Sequence, residues 1–203
     1  MKFPILASVL ALCAFIAFSN HRQREAAAKE EEEFWERERL ANSTRRKSLD
    51  GLNYINIPLD LLPMNLYLDD EKISEYVSTV KTLSESPIVN LTGYSNTDLK
   101  LEYGAPNITL LSQYDQRYTT LVQTLQRWAQ ALYDRNEIEA AKTILEFSVS
   151  TNSDVSGSYK LLADIYKANH DTDRIDCLIK TAEKLNTPMR DSILTYLYSC
   201  TNA

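Results

Sequence analysis

The sequence predicts a mainly α-helical chain in which an apolar N-terminal helix and a charged stalk precede a body of helical hairpins. Three observations support this fold class. The chain has 203 residues but only 4 glycines and 6 prolines. Of these, only Gly157 and Pro188 follow residue 107, so the second half offers few turns, and its apolar residues recur at helical spacing. An uncharged run, Phe3 to Phe18, opens the chain.

The uncharged run, FPILASVLALCAFIAF, is extended by Ser19 and Asn20 to the lower limit of a membrane-spanning helix. We therefore predict a transmembrane signal anchor over residues 1–20. Basic residues follow this segment more densely than they precede it. Because basic residues favour the cytoplasmic side, we predict a single-pass membrane protein whose body is cytoplasmic.

A second interpretation of the same segment is open. Small residues at Ala17 and Ser19 fit the pattern of a signal-peptide cleavage site. Cleavage after Ser19 would release a secreted or cell-surface protein that begins at Asn20.

A charged juxtamembrane helix is predicted over residues 21–48, which carry 8 Lys and Arg and 7 Glu. A mixed capping segment is predicted over 49–106. β-Branched residues and prolines at 50–63, and again at 87–93, predict two short extended pieces that pair with each other. Between them we expect a helix that Asp69 or Asp70 caps and Pro87 ends.

A short capped helix is also expected near the end of the mixed segment. Ser95 and Asp98 have the spacing of a capping box, and Gly104 suits the end of a helix. We expect this helix to dock against the first hairpin of the body.

The predicted repeat region covers residues 107–203. Apolar residues on one face predict a long first helix, and four shorter helices with short connections indicate antiparallel hairpins. The predicted bounds are 108–134, 138–149, 159–168, 173–185 and 189–198.

An internal repeat appears when the sequence is aligned with itself so that Leu125 falls on Tyr159. We call this shift the repeat period. Large residues match large ones and small residues match small ones, as expected where helices of a hairpin approach closely. The matched pairs are Leu125 and Tyr159, Trp128 and Leu162, Ala129 and Ala163, Leu132 and Tyr166, Leu145 and Ile179, and Ser148 and Ala182.

This pattern resembles the tetratricopeptide repeat (TPR), a helix-turn-helix unit of about 34 residues. The segments WAQAL…NEIEAA and LADIY…DRI carry the likeness, which covers roughly residues 122–189. The chain as a whole is similar to small bacterial membrane-anchored TPR-like proteins without an assigned activity. The resemblance implies that the first helix of each repeat lines a concave groove for a protein or peptide partner.

Carried over by position, the resemblance implies seven groove residues: Gln123, Gln126, Gln130, Tyr133, Lys160, Asp164 and Lys167. Their polar groups would hold the carboxylate or the backbone of a peptide. The alternative is that the last three form an ordinary solvated helix face with local ion pairs.

Charge and motifs exclude several other classes of function. Residues 48–203 carry 13 Lys and Arg against 21 Asp and Glu, which argues against nucleic acid as a partner. Three cysteines lack metal-ligand spacing, and the only histidines are His21 and His170. No nucleophile, P-loop, metalloprotease or dinucleotide motif occurs. The sequence therefore predicts no catalytic residue, no cofactor and no metal site.

These observations predict a non-enzymatic, membrane-tethered TPR-like adaptor or scaffold that binds a protein or peptide partner. The alternative is a secreted or cell-surface envelope protein, with a binding or assembly role, that signal-peptide cleavage releases.

Overall fold

A computed structural model describes residues 3–201, and it describes the side chains from Leu12 onward except that of Ala14. Within this range the chain forms eight α-helices and one short 3-10 helix. The helices are α1 (Phe3–Ser43), α2 (Glu71–Ser84), α3 (Asn96–Tyr103), the 3-10 helix (Ala105–Asn107), α4 (Ile108–Tyr133), α5 (Ile138–Ser150), α6 (Ser156–Ala168), α7 (Thr172–Ala182) and α8 (Arg190–Thr201).

The predicted membrane anchor is wrong. No helix in the described part of the chain combines the length and the apolar character that crossing a membrane requires. The uncharged run is shorter than the roughly 20 residues that a spanning helix needs, and α1 continues from it into the charged stalk. The predicted single-pass localisation is therefore also wrong. The predicted span falls partly on residues 1–11 and 14, whose side chains lie outside the described part.

The predicted extended pieces are wrong as strands, since the described residues contain no β-strand. The two pieces meet only at an isolated antiparallel bridge between Tyr54 and Val89. One main-chain bond supports it, from the Ile55 N–H to the Ile88 carbonyl at 2.9 Å. A single bridge cannot continue into a ladder here, because the first piece turns at Pro58 and the second follows directly on α2.

The predicted helix between these pieces is confirmed as α2. The Asp70 carboxylate caps it by accepting from the N–H groups of Lys72 and Ile73 at 3.0 and 3.1 Å. Ile73, Val77 and Val80 form its buried face.

The chain divides into two compact units, one of residues 1–47 and 95–108 and the other of residues 48–94 and 109–203. In the first unit, α3 begins with the predicted capping box: the Asp98 N–H donates to the Ser95 hydroxyl, and the Ser95 N–H donates to the Asp98 carboxylate. The helix packs against α1, whereas the sequence predicts docking on the first hairpin. Lys100 pairs with Glu38 at 3.1 Å.

Asn107 and Gly104 hold the first unit together at the end of α1. The buried Asn107 amide donates to the carbonyls of Lys47 and Tyr103, both at 2.8 Å, and accepts from the Arg46 guanidinium at 2.9 Å. Gly104 has a φ of 92°, and a Cβ on it would overlap the Arg45 carbonyl oxygen. Glycine is therefore required at position 104, where the chain passes close to the main chain of Arg45 and Arg46.

The second unit contains two hairpins, α4–α5 and α6–α7, whose turns have the same hydrogen bonds at positions one repeat period apart. Asn136 and His170 have φ angles of 65° and 57°. The next N–H then bonds to the carbonyl five residues back, from Glu137 to Leu132 at 3.0 Å and from Asp171 to Tyr166 at 2.9 Å. Each first helix thus ends in a Schellman motif.

The residues matched by the repeat form the core of the second unit. All twelve residues of the six pairs are buried. All of them except Ser148 belong to one hydrophobic cluster. Ala129 and Ala163 are fully buried at equivalent positions of α4 and α6. The predicted register of the two hairpins is therefore the register of the packed structure.

Asn90 ties the segment after α2 to the hairpins. Its Nδ2 donates to the Tyr118 hydroxyl and to the carbonyls of Thr151 and Asn152, at 2.9 to 3.1 Å. Its Oδ1 accepts from the Thr92 N–H at 2.9 Å. The Tyr118 hydroxyl in turn donates to the Thr151 carbonyl, and burial raises the pKa of Tyr118 to about 12.

Substitution of Gly104 with alanine is expected to destabilise the first unit. The positive φ costs about 1–3 kcal/mol for a residue with a side chain, and the new Cβ would meet main-chain atoms of Arg45 that cannot move independently. Amide hydrogen exchange of α3 should become faster. Gly51→Ala is the control, because a Cβ there meets no atom within 4 Å. Unchanged protection of α3 in Gly104→Ala would contradict the close approach.

Enlarging the buried alanines of the repeat is expected to destabilise the second unit. Ala129→Leu and Ala163→Leu each insert three heavy atoms into a packed interior, and overpacking costs about 1–3 kcal/mol. Urea denaturation measures the loss. Ala168→Leu, at an exposed position of α6, is the matched control and should unfold like the wild type. Equal stabilities of all three variants would argue against the predicted close packing.

Replacing Asn90 with aspartate should weaken the attachment of its segment. The substitution puts an acceptor oxygen where the amide now donates to three oxygens. Leaving buried groups unpaired costs about 1–3 kcal/mol, which denaturant unfolding would detect. Asn152→Gly removes an exposed amide at a φ of 57° that glycine tolerates, and should change stability little. If Asn90→Asp were as stable as Asn152→Gly, the role of Asn90 would be refuted.

Candidate functional site

The structure places four of the seven predicted groove residues in two groups. Gln126 and Gln130 of α4 line a cleft beside α2. Lys160 and Asp164 of α6 instead contact α8. The groove that the resemblance implies stays a prediction.

The cleft between the beginning of α2 and the second half of α4, which we call the α2–α4 cleft, has a volume of about 560 Å³. This volume is typical of ligand pockets, which measure roughly 300–1,000 Å³. Its lining contains Asp70, Glu71, Lys72, Tyr76, Gln126, Arg127, Gln130, Ala131, Asp134 and Arg135.

One side of the cleft is held by Asp70 and Arg135. These residues form an ion pair, and the Arg135 guanidinium also lies 5.7 Å from the centre of the Tyr67 ring. The pKa of Asp70 is lowered, chiefly by its hydrogen bond from the Ile73 N–H and also by Arg135. The same carboxylate therefore caps α2 and pairs with a residue of the turn that follows α4.

The two glutamines lie one helical turn apart on α4. Gln130 donates to Asp134 at 2.8 Å through its Nε2, so its side-chain carbonyl stays available. Gln126 makes no side-chain hydrogen bond with any described residue, and its amide lies against Gly157 of α6. Amide groups both donate and accept hydrogen bonds, as a peptide backbone does.

The charges around the cleft are balanced. Lys72 and Arg127 are exposed and form no ion pair within the described chain, and the same holds for Glu71. Asp70 and Arg135 neutralise each other. The cleft therefore offers charged groups at its rim without a strong preference for an acidic or a basic ligand.

Lys160 and Asp164, two other predicted groove residues, contact α8. The Lys160 ammonium lies 5.4 Å from the centre of the Tyr196 ring. The Tyr196 hydroxyl donates to the Asp164 carboxylate at 2.6 Å, and this bond is the main reason that the pKa of Tyr196 is raised to about 12. The sequence missed Tyr196 because the short last helix showed no relation to the repeat. The available signal was an aromatic residue, Tyr196, within a predicted helix.

The remaining groove residues are separate from both groups. Gln123 and Lys167 are exposed on their helices, and Tyr133 packs against the hydrophobic core. Neither Gln123 nor Lys167 makes a side-chain hydrogen bond with a described residue. Position along the repeat alone therefore did not identify which polar groups line a cavity.

The residue types that carry catalysis are dispersed. Cys177 is exposed and Cys200 is buried, both as free thiols. His170 occupies the positive-φ position of the α6–α7 turn, and Asp171 caps α7 by accepting from the Arg174 N–H. Among the described residues, no group of histidine, cysteine and acidic side chains is arranged to hold a metal ion.

Comparison with known proteins leaves the family of the chain open. No protein-family model matches the sequence, and neither a curated protein nor a solved structure matches it. The resemblance to tetratricopeptide repeats therefore stays a prediction.

Proposed function

We propose that this protein is a non-enzymatic helical adaptor that binds an extended segment of a partner protein in the α2–α4 cleft. The observation that carries the proposal is the pair of glutamine amides, Gln126 and Gln130, on the wall of a cavity of about 560 Å³. The side-chain carbonyl of Gln130 and the whole side-chain amide of Gln126 form no hydrogen bond with a described residue.

Extended peptide is the ligand class that fits these groups. A peptide backbone presents one donor and one acceptor at each residue, and glutamine amides at adjacent helical turns can pair with both. Tyr76 and Ala131 add apolar surface between the polar groups. The balanced charge at the rim supports contacts with a polar peptide of either sign.

The cleft is also built to keep its shape. Its α2 side is anchored by a buried helix face, and the ion pair of Asp70 and Arg135 joins that side to the turn after α4. A preformed cleft loses less entropy on binding than a flexible one. The cleft has few apolar groups, so a low entropic cost of binding supports its function as a binding site.

Peptide selection on the full chain tests the proposal. Peptides enriched from a random displayed library are synthesised, and their dissociation constants are measured by fluorescence anisotropy. The double substitution Gln126→Ala and Gln130→Ala should weaken binding at least tenfold, or about 1.4 kcal/mol. The control is Gln123→Ala on the same helix, outside the cleft. An equal loss in the control, or no loss in the double variant, would overturn the proposal.

The alternative predicted from the sequence is a secreted or cell-surface protein cut after Ser19. It would use the same helical body. Mass spectrometry of the natural protein measures its first residue, and a mature chain that begins at Asn20 would favour this alternative.

A further inference from the structure

A second cavity of the same unit lies at the ends of the two hairpins, and we call it the amide pocket. It has a volume of about 520 Å³. Four segments line it: residues 53–56, the Asn90 segment, the end of α5 and residues 184–187. It shares no lining residue with the α2–α4 cleft.

The repeat explains why asparagines meet in this pocket. Asn152 follows α5 and Asn186 follows α7, and the two positions are one repeat period apart. The turns before them carry equivalent main-chain bonds, from Thr151 to Ser148 at 3.3 Å and from Leu185 to Ala182 at 3.1 Å. Successive hairpins therefore present an amide at the same place.

The back of the pocket is fixed by Asn90, whose side chain uses its amide and carbonyl groups in structural hydrogen bonds. Gly93 lies beside the Asn186 side chain. A Cβ on Gly93 would lie 2.8 Å from the Asn186 side-chain nitrogen, so glycine leaves the room that Asn186 occupies.

The other asparagines of the lining are exposed and present their amides to solvent. The side-chain amides of Asn53, Asn56, Asn152 and Asn186 make no hydrogen bond with any described residue. The main-chain N–H and carbonyl of Asn56 are also unbonded within the described chain. A free main-chain donor and acceptor at an exposed residue can pair with the backbone of another segment.

The pocket has one charge and one apolar wall. Lys184 is the only charged residue of the lining, and it forms no ion pair with a described residue. Ile55, Phe147 and Leu185 form the apolar part. A ligand that fits all of these groups combines a backbone, an apolar side chain and a carboxylate. A neutral saccharide would meet the amides but leave the lysine and the Asn56 backbone unused.

We propose that the amide pocket binds an extended peptide segment that carries a carboxylate. The peptide backbone pairs with the Asn56 main chain and with the asparagine amides. An apolar side chain packs on Phe147, and the carboxylate pairs with Lys184. An acidic side chain and a chain terminus supply the same carboxylate chemistry. The inference deepens the proposed adaptor function, on which it rests, by adding a second site for polypeptide on residues of its own.

The test selects random displayed peptides on the full chain with Gln126→Ala and Gln130→Ala, so that the α2–α4 cleft does not contribute. The same chain with Asn152→Gly and Asn186→Ala added serves for counter-selection. Both asparagines are exposed, and glycine tolerates the φ of 57° at position 152. We expect enriched peptides with an acidic group near an apolar residue, and at least tenfold weaker binding to the counter-selection variant.

Chemically matched peptides then locate the carboxylate. On the wild-type pocket, replacing the acidic side chain by its amide, or amidating the terminus, should weaken binding for whichever group pairs with Lys184. Lys184→Met should remove this difference, whereas Lys180→Met, at an exposed site on α7, should preserve it. Side-chain amide NMR signals of Asn152 and Asn186 should shift when peptide is added.

Several results would overturn the inference. One is the absence of enrichment on the cleft variant over the counter-selection variant. Another is an equal effect of Lys184→Met on the acidic and the amidated peptide. Unshifted asparagine signals at saturating peptide would also contradict the site. Because the cleft glutamines are already replaced in the selection, these failures are distinct from failure of the α2–α4 cleft.

Discussion

The turn that joins the two helices of each hairpin is the constraint on which the second unit depends. Its positive-φ residue, Asn136 or His170, lets the chain reverse while the exposed carbonyls at the helix end are satisfied. Because both turns have the same hydrogen bonds, the second helices begin one repeat period apart, at Ile138 and Thr172. The buried pairs and the matched positions of Asn152 and Asn186 follow from this register.

The interior of the second unit contains several buried polar atoms that have no hydrogen-bond partner in the described chain. Trp128, Ser148, Ser158 and Tyr159 bury a polar atom without a hydrogen-bond partner in the described chain, and burial raises the pKa of Tyr159. An unpaired buried group costs roughly 1–3 kcal/mol. The large side chains offset this with the apolar surface that they remove from water. Ser148 and Ser158 are fully buried as well.

Sequence periodicity predicted the helices of the second unit closely, because a helix that is buried on one face has apolar residues at helical spacing. The capping box of Ser95 and Asp98 was equally readable, because both partners lie within one turn. The roles of Asn90, Gly93 and Asn107 could not be predicted, because their hydrogen-bond and packing partners lie far away along the chain. The stretch from Asn90 to Pro106 contributes to the amide pocket at its beginning and to the first unit at its end.

The sequence by itself determined the helical class, the bounds of the hairpins and the register that the repeat period sets, because these depend on local periodicity and on turn chemistry. Only the tertiary structure decided which polar groups of the predicted groove line a cavity. Gln126 and Lys160 both lie on first helices of the repeat, yet α2 borders the cleft that contains Gln126, while Tyr196 of α8 lies against Lys160. The flanking helices lie outside the repeat, so their packing is set by contacts between distant residues that no periodicity records.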